Sequence, residues 1–126
     1  MEVIKLQGTD DTPGVVLDPE NMIFEISGRS MPEDVATFYQ PILDWMDAHI
    51  PQLNDKIVFV FKMDYFNTAS SKMLLDILVK LEDYYSEGKD IVVHWYYKED
   101  DEDMMEAGEE YADIVDVPFE IKELES

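Results

Sequence analysis

Ile57-Val58-Phe59-Val60-Phe61-Lys62-Met63-Asp64-Tyr65-Phe66-Asn67-Thr68-Ala69-Ser70-Ser71 is the stretch that decides how this chain folds. Its first five residues are all β-branched or aromatic, the pattern of a strand covered on both faces. Asn67 and three hydroxyl residues then crowd the start of a helical pattern. Leu74, Ile77, Leu78, Leu81 and Tyr85 form its apolar stripe. Lys72, Asp76, Lys80, Asp83 and Glu87 line the wet side, with Asp76 and Lys80 in the favourable i,i+4 order. Gly88 supplies the left-handed residue that ends such a helix. Ile91–Tyr97 is a second, nearly continuous apolar strand. Strand, helix and strand in that order make a parallel βαβ unit with a right-handed crossover.

On the N-terminal side, residues 3–7 alternate weakly and form a short edge strand with Ile4 and Leu6 on one side. Gly8–Gly14 is loop chemistry. Val15–Leu17 and Met22–Ile26 flank the turn Asp18-Pro19-Glu20-Asn21 as a hairpin, with Met22, Phe24 and Ile26 on one face and Glu25 on the other. Ser30-Met31-Pro32-Glu33 has the form of a capping box. The helix behind it carries Val35, Phe38, Tyr39, Ile42 and Met46 at helical spacing, and Pro51 stops it. Pro41 within it predicts a kink. On the C-terminal side, Met104, Met105, Ala107, Gly108 and Tyr111 give a weak helical stripe, and Phe119 and Ile121 alternate in a last strand. The order β-β-β-α-β-α-β-α-β predicts one α/β domain over residues 1–126, a mixed sheet with parallel central strands and about three helices. Functional loops of such sheets gather at the carboxyl ends of the strands, here Asp64–Thr68 and Lys98–Asp101.

Thirty acids stand against nine bases, a net charge of −21, where small soluble domains carry about 2 to 8 charges of either sign. No face of such a chain is expected to neutralise phosphates, which argues against nucleic acid and anionic membranes as partners. No apolar run approaches the roughly 18 residues of a spanning helix. Met1-Glu2-Val3-Ile4-Lys5 has neither the basic nor the apolar region of a signal peptide. The absence of cysteine removes disulfides and thiolate chemistry. A cytoplasmic protein is expected.

The acids are unevenly placed: thirteen of them, with one base, lie in the last 28 residues. Glu99-Asp100-Asp101-Glu102-Asp103 lacks the glycine and the bidentate glutamate of an EF-hand loop, and a solvated face is the expected role. His94 stands alone between Val93 and Trp95, without a second histidine or a serine at a useful spacing, and His49 reads as a surface residue. No catalytic residue, metal or cofactor is assigned. A hydrolase built on His94 with neighbouring carboxylates is the enzymatic alternative, and a plain scaffold the structural one.

The segment Asp64–Ser71 supports two readings. In one, Asn67 or Thr68 caps the helix and the serines are simply tolerated in its first turn. In the other, one hydroxyl accepts a phosphate, since a helix start offers free N–H groups and a positive dipole end. Tyr65 and Phe66, at the strand end beside Thr68, are candidate exposed anchors for a protein partner.

Gly8-Thr9-x-x-Thr12-Pro13, Ser30-x-Pro32-Glu33, Trp45, Asn67-Thr68-x-Ser70-Ser71, Trp95-Tyr96-Tyr97 and Pro118-Phe119, in order along nearly the whole chain, resemble the SiaC family of bacterial regulatory phosphoproteins. The resemblance implies a STAS-like fold and reversible phosphorylation of the threonine in the Asn-Thr-x-Ser-Ser segment, here Thr68, surrounded by Asn67, Ser70, Ser71 and Lys72. It implies a cognate protein kinase, an opposing metal-dependent phosphatase, and an unphosphorylated form that activates a diguanylate cyclase in cyclic-di-GMP control of biofilm or aggregation. Tyr65, Phe66 and the wet side of the second helix, Asp76 included, are the expected docking surface. Lys62 and Lys72 are the bases near enough in sequence to offset the phosphate. The alternative within this fold is an anti-sigma-factor antagonist that switches partners in transcription control.

Overall fold

Six strands and three α-helices follow one another in the predicted order: β1 (Ile4–Leu6), β2 (Gly14–Asp18), β3 (Ile23–Ser30), α1 (Val35–His49), β4 (Ile57–Phe66), α2 (Thr68–Ser86), β5 (Ile91–Tyr97), α3 (Glu102–Ile114) and β6 (Phe119–Glu123). These bounds come from a computed structural model, which describes residues 2–124; Met1 at the chain start and Glu125 and Ser126 of the acidic tail lie outside that range. The strands lie side by side in chain order. β1, β2 and β3 pair antiparallel, and β3 to β6 pair parallel. The fold is the expected α/β mixed sheet with three helices.

When strands are laid down in chain order by crossovers of one hand, every crossover helix lands on the same face of the sheet. The core has this form. Val15, Leu17, Phe24, Ile26, Ile57, Phe59, Phe61, Ile91, Val93 and Trp95 form one sheet face, and buried residues of all three helices join them in a single cluster. Among the described residues no helix lies on the opposite face. Val58, Val60, His94 and Tyr96 are half-buried there, with Lys62 pairing to Glu25 at 3.3 Å. The expectation that β4 is covered on both faces is therefore corrected: Phe59 and Phe61 take the helix side, and Val58 and Val60 take the open side.

Several local expectations shift for identifiable reasons. Ser30 is not a helix cap; it is the buried last residue of β3, and Asp34 caps α1 by accepting from the Thr37 N–H at 3.2 Å. α1 runs on through Pro41, which is exposed and does not divide the helix. Tyr84, not Tyr85, completes the buried stripe of α2. Its hydroxyl donates to Asp47 Oδ1 of α1 at 2.5 Å, and Lys80 reaches Asp47 Oδ2 at 2.8 Å instead of pairing with Asp76. Lys80 and then Tyr84 hold the Asp47 carboxyl below the usual range. His49 is not a surface residue: its ring centre lies 4.9 Å from that of Trp45, with Nε2 3.9 Å from Glu2.

The predicted turn is present, and Asp18 organises it. Its carboxylate accepts from the Glu20 and Asn21 N–H groups at 3.1 and 3.2 Å and from the Asn21 amide at 2.8 Å. The Asn21 side chain, then its N–H, lowers the Asp18 pKa. At the other end of the sheet Trp95 is fully buried, and its indole N–H donates to the Met104 carbonyl at 2.9 Å. α3 can approach that ring only because residue 108 is glycine: a Cβ there would stand 2.5 Å from Trp95 Cδ1.

Gly108→Ala is expected to lower stability by about 1–3 kcal/mol through overpacking, although alanine favours a helix by about 1 kcal/mol; urea denaturation measures the balance. A group whose folded pKa is depressed adds stability above its unfolded value, and loses it as pH falls through the folded value. The stability difference between wild type and Asp18→Asn is therefore expected to be largest at neutral pH and to shrink below about pH 4.

Candidate functional site

The carboxyl ends of β3, β4 and β5 and the start of α2 meet at one edge of the molecule. Asn67 leaves β4 in an extended conformation and caps α2, its side-chain oxygen accepting from the Ser70 N–H at 2.8 Å. Of the two residues expected to compete for this role, Asn67 takes it. Thr68 is then the first helical residue and is exposed. Among the described residues no hydrogen bond ties down its hydroxyl, while its carbonyl accepts from the Ser71 hydroxyl at 2.6 Å.

The three hydroxyls of this segment have three different environments. Ser70 is fully buried, and the Ser30 hydroxyl donates to it at 2.9 Å. Having one proton to give, Ser30 then accepts from Tyr39 at 2.5 Å. Burial raises the Tyr39 pKa. This internal chain joins β3, α1 and α2, and nothing in the sequence spacing announced it. Ser71 is half-buried, with Tyr111 of α3 donating to its carbonyl at 2.8 Å. Thr68 alone of the three stands in the open with a free hydroxyl.

Tyr65 and Phe66, expected together as exposed anchors, are separated by a break in register. Gly28 pairs with Met63 and Arg29 with Tyr65, so Asp64 is the extra residue on β4. Gly28, beside the break on β3, sits at φ +90, in the left-handed region that favours glycine. The bulge turns Phe66 toward the helix layer, where it meets Trp95 edge-on at 6.1 Å and Tyr111 at 6.4 Å. Tyr65 turns outward and is 45% exposed. Arg29, which no motif singled out, lays its guanidinium 5.4 Å from the Tyr65 ring centre and donates from Nε to the Asp10 carbonyl at 3.1 Å. Lys98 pairs with Asp64 at 3.0 Å, which raises the Lys98 pKa.

Lys72 is exposed one turn beyond Thr68 on the same side of α2, and Asp76 is exposed one turn further on. Lys62 is not at this edge. It lies on the open sheet face against Glu25 and 5.2 Å from the Tyr96 ring centre, so it does not offset charge at Thr68. His94 is on that open face too, 3.3 Å from Glu120 and away from the helices. The acidic run starts α3: Asp101 caps it by accepting from the Met104 N–H at 3.0 Å, and Glu102 and Asp103 fill the first turn, where the helix dipole favours them. Among the described residues no cluster of three or more His, Asp or Glu could hold a metal ion, and no helix is long and apolar enough to cross a membrane.

Comparison with known proteins bears on what such an edge is for. The family model described as SiaC family regulatory phosphoprotein matches residues 6–124, and the chain belongs to that family. It is 26% identical to an uncharacterised protein of Pseudomonas aeruginosa (strain UCBPP-PA14) over 97% of each chain. The crystal structure of apo-SiaC from Pseudomonas aeruginosa is similar at a TM-score of 0.88, with 26% identity, over 97% of this chain and 99% of that one. A crystal structure of the diguanylate cyclase SiaD in complex with its activator SiaC from Pseudomonas aeruginosa matches at a TM-score of 0.90 with 26% identity, covering 96% of this chain and 99% of that one.

Asn67→Ala is expected to cost about 1 kcal/mol of stability through loss of the cap. Thr68→Ala is expected to stay within about 0.5 kcal/mol of wild type, as an exposed side chain without a partner does. Paired denaturation curves check both, and a cost at Thr68 equal to that at Asn67 would make Thr68 a structural residue.

Proposed function

We propose that this chain is a non-enzymatic regulatory protein switched by phosphorylation of Thr68, and that its unphosphorylated form binds and activates a diguanylate cyclase. One observation carries the choice of residue: of the three hydroxyls at the start of α2, Thr68 alone is exposed and unbonded among the described residues, while Ser70 is sealed in the core. Membership in a family of regulatory phosphoproteins supports a phosphate switch. The similarity to SiaC seen in complex with the cyclase SiaD supports the choice of partner. In this reading a cognate protein kinase adds the phosphate and a metal-dependent protein phosphatase removes it. Output through cyclic-di-GMP, in biofilm or aggregation control, follows from the partner.

Placement of Thr68 explains how one phosphate can matter. It adds about −1.5 to −2 charges at the first helical residue, where free N–H groups and the dipole stabilise an anion. The Tyr65, Asn67–Ser71 and Asp76 surface is then no longer the one a partner met. Burying that charge in a contact made without it costs about 2–5 kcal/mol, and binding weakens tens- to thousands-fold.

The test is incubation of the full chain with ATP and the candidate kinase, followed by peptide mapping and cyclase assays. A single phosphate on Thr68 is expected, absent from Thr68→Ala and unaffected in Ser71→Ala. Thr68→Ala should activate the cyclase constitutively. Thr68→Asp, with one charge in place of two, should release it only in part. Phosphate on Ser71 in the wild type, or full activation by a chain stoichiometrically phosphorylated at Thr68, would contradict the proposal.

A further inference from the structure

The two edges of the sheet are unlike. β1 pairs over three residues, whereas β6 runs Phe119-Glu120-Ile121-Lys122-Glu123, and among the described residues no strand lies beyond it. The Pro118 carbonyl accepts from the Val93 N–H at 2.8 Å, and the Leu124 N–H donates to the Tyr97 carbonyl at 2.7 Å. Alternate residues of a strand turn their backbone groups to opposite sides. Glu120 and Lys122 therefore bond to β5, while Phe119, Ile121 and Glu123 turn their N–H and C=O groups to the open edge. The side chains divide the other way: Phe119 and Ile121 pack on the core, and Glu120 and Lys122 stand on the open sheet face beside His94 and Tyr96.

Charge usually blunts an unpaired edge. Here the two charges on the open face are opposite in sign and two residues apart, which makes the edge complementary to itself. A second β6 laid antiparallel, with Ile121 opposite its own copy, sets Phe119 opposite Glu123 and Glu120 opposite Lys122. The outward-turned residues then meet in pairs that each exchange two N–H···O bonds. Glu120 and Lys122 fall at the positions between, where facing side chains come closest. Sliding the register by one pleat in either direction sets Glu120 against Glu120 or Lys122 against Lys122, and like charges directly opposite are destabilising. One register is favoured.

The helix layer is compatible with this pairing. A two-fold axis normal to the sheet keeps the helices of both copies on one side and brings α3 beside α3. Ala107, Glu110, Tyr111 and Ile114 of α3 line a cavity with Leu75 of α2. Met105 and Ala112, half-buried and seven residues apart, lie on the other flank, above the β6 edge, with Glu109 at their shoulder. Glu102, Glu106 and Asp113 are exposed on the outer side of the helix. The flank that would meet its copy is the least acidic one α3 has.

We propose that β6 is a self-association edge, through which two copies of the chain pair antiparallel, Ile121 on Ile121, into one continuous sheet. This association is independent of the phosphate on Thr68. Five paired residues span about 17 Å, a contact of the weak and reversible class, made between chains that each carry −21.

Sedimentation equilibrium of the full, unmodified chain from about 10 μM to 1 mM spans the affinities such a contact reaches, and a monomer–dimer equilibrium is expected. Glu120→Lys and Lys122→Glu should each weaken the dimer tenfold or more. An equimolar mixture of the two variants should restore it, because one brings two bases and the other two acids to the same register. Glu123→Pro removes an outward N–H and leaves the ladder to β5 intact; it too should weaken the dimer. Should Glu123→Pro not fold, the mixing experiment carries the test alone. A chain that stays monomeric to about 1 mM would overturn the self-association. A dimer indifferent to the charge variants would place the contact elsewhere, and a mixture that fails to reassociate would overturn the register.

Discussion

Ser70 fixes how α2 is turned. Its hydroxyl accepts a hydrogen bond from the Ser30 hydroxyl inside the core, and its N–H is held by Asn67 at the mouth of the helix. Residues two apart on a helix point about 200° away from each other, so anchoring Ser70 inward directs Thr68 outward. The same chain of hydroxyls runs through Ser30 to Tyr39 on α1, and the Ser30 carbonyl also takes the Asn67 N–H at 3.1 Å. Each link is buried, so a lost member leaves an unsatisfied polar group and costs about 1–3 kcal/mol. Thr68 is thus free because its neighbour is not.

The fold also sorts the charge. The three helices hold eleven acids against two lysines, whereas the six strands hold five acids against four bases. A sheet laid down in chain order with all helices on one face therefore has one strongly anionic layer and one nearly neutral face. Thr68 belongs to the anionic layer, with Lys72 as the nearest base on its own helix. A phosphate placed there meets little to compensate it beyond Lys72 and the dipole of α2, and a surface so biased favours a partner that brings positive charge.

Much of this was legible in the sequence, and the failures have physical causes. Element order, the Asp18–Asn21 turn and the Gly88 cap follow from local rules, because turn and cap residues act on their immediate neighbours. Coverage of β4 was misread because an unbroken apolar run hides the alternation. The signal lay in size, with Phe59 and Phe61 toward the helices and Val58 and Val60 away from them. Ser30 imitates a cap by composition, yet its hydroxyl is spent forty residues away on Ser70. The Asp47 clamp, Arg29 over Tyr65 and Phe66 under α3 are tertiary meetings without a local signature. Gly108 was the exception: a glycine inside a helix marks close approach, and Trp95 is what approaches.

The central claim is that one phosphate on one exposed hydroxyl changes what this edge of the sheet can bind. Calorimetric titration of the same preparation in two states, unmodified and carrying a single phosphate on residue 68, addresses it without any substitution. The account predicts an affinity for the cyclase at least tens-fold lower in the modified state, regained after phosphatase treatment. Indistinguishable isotherms for the two states would contradict it.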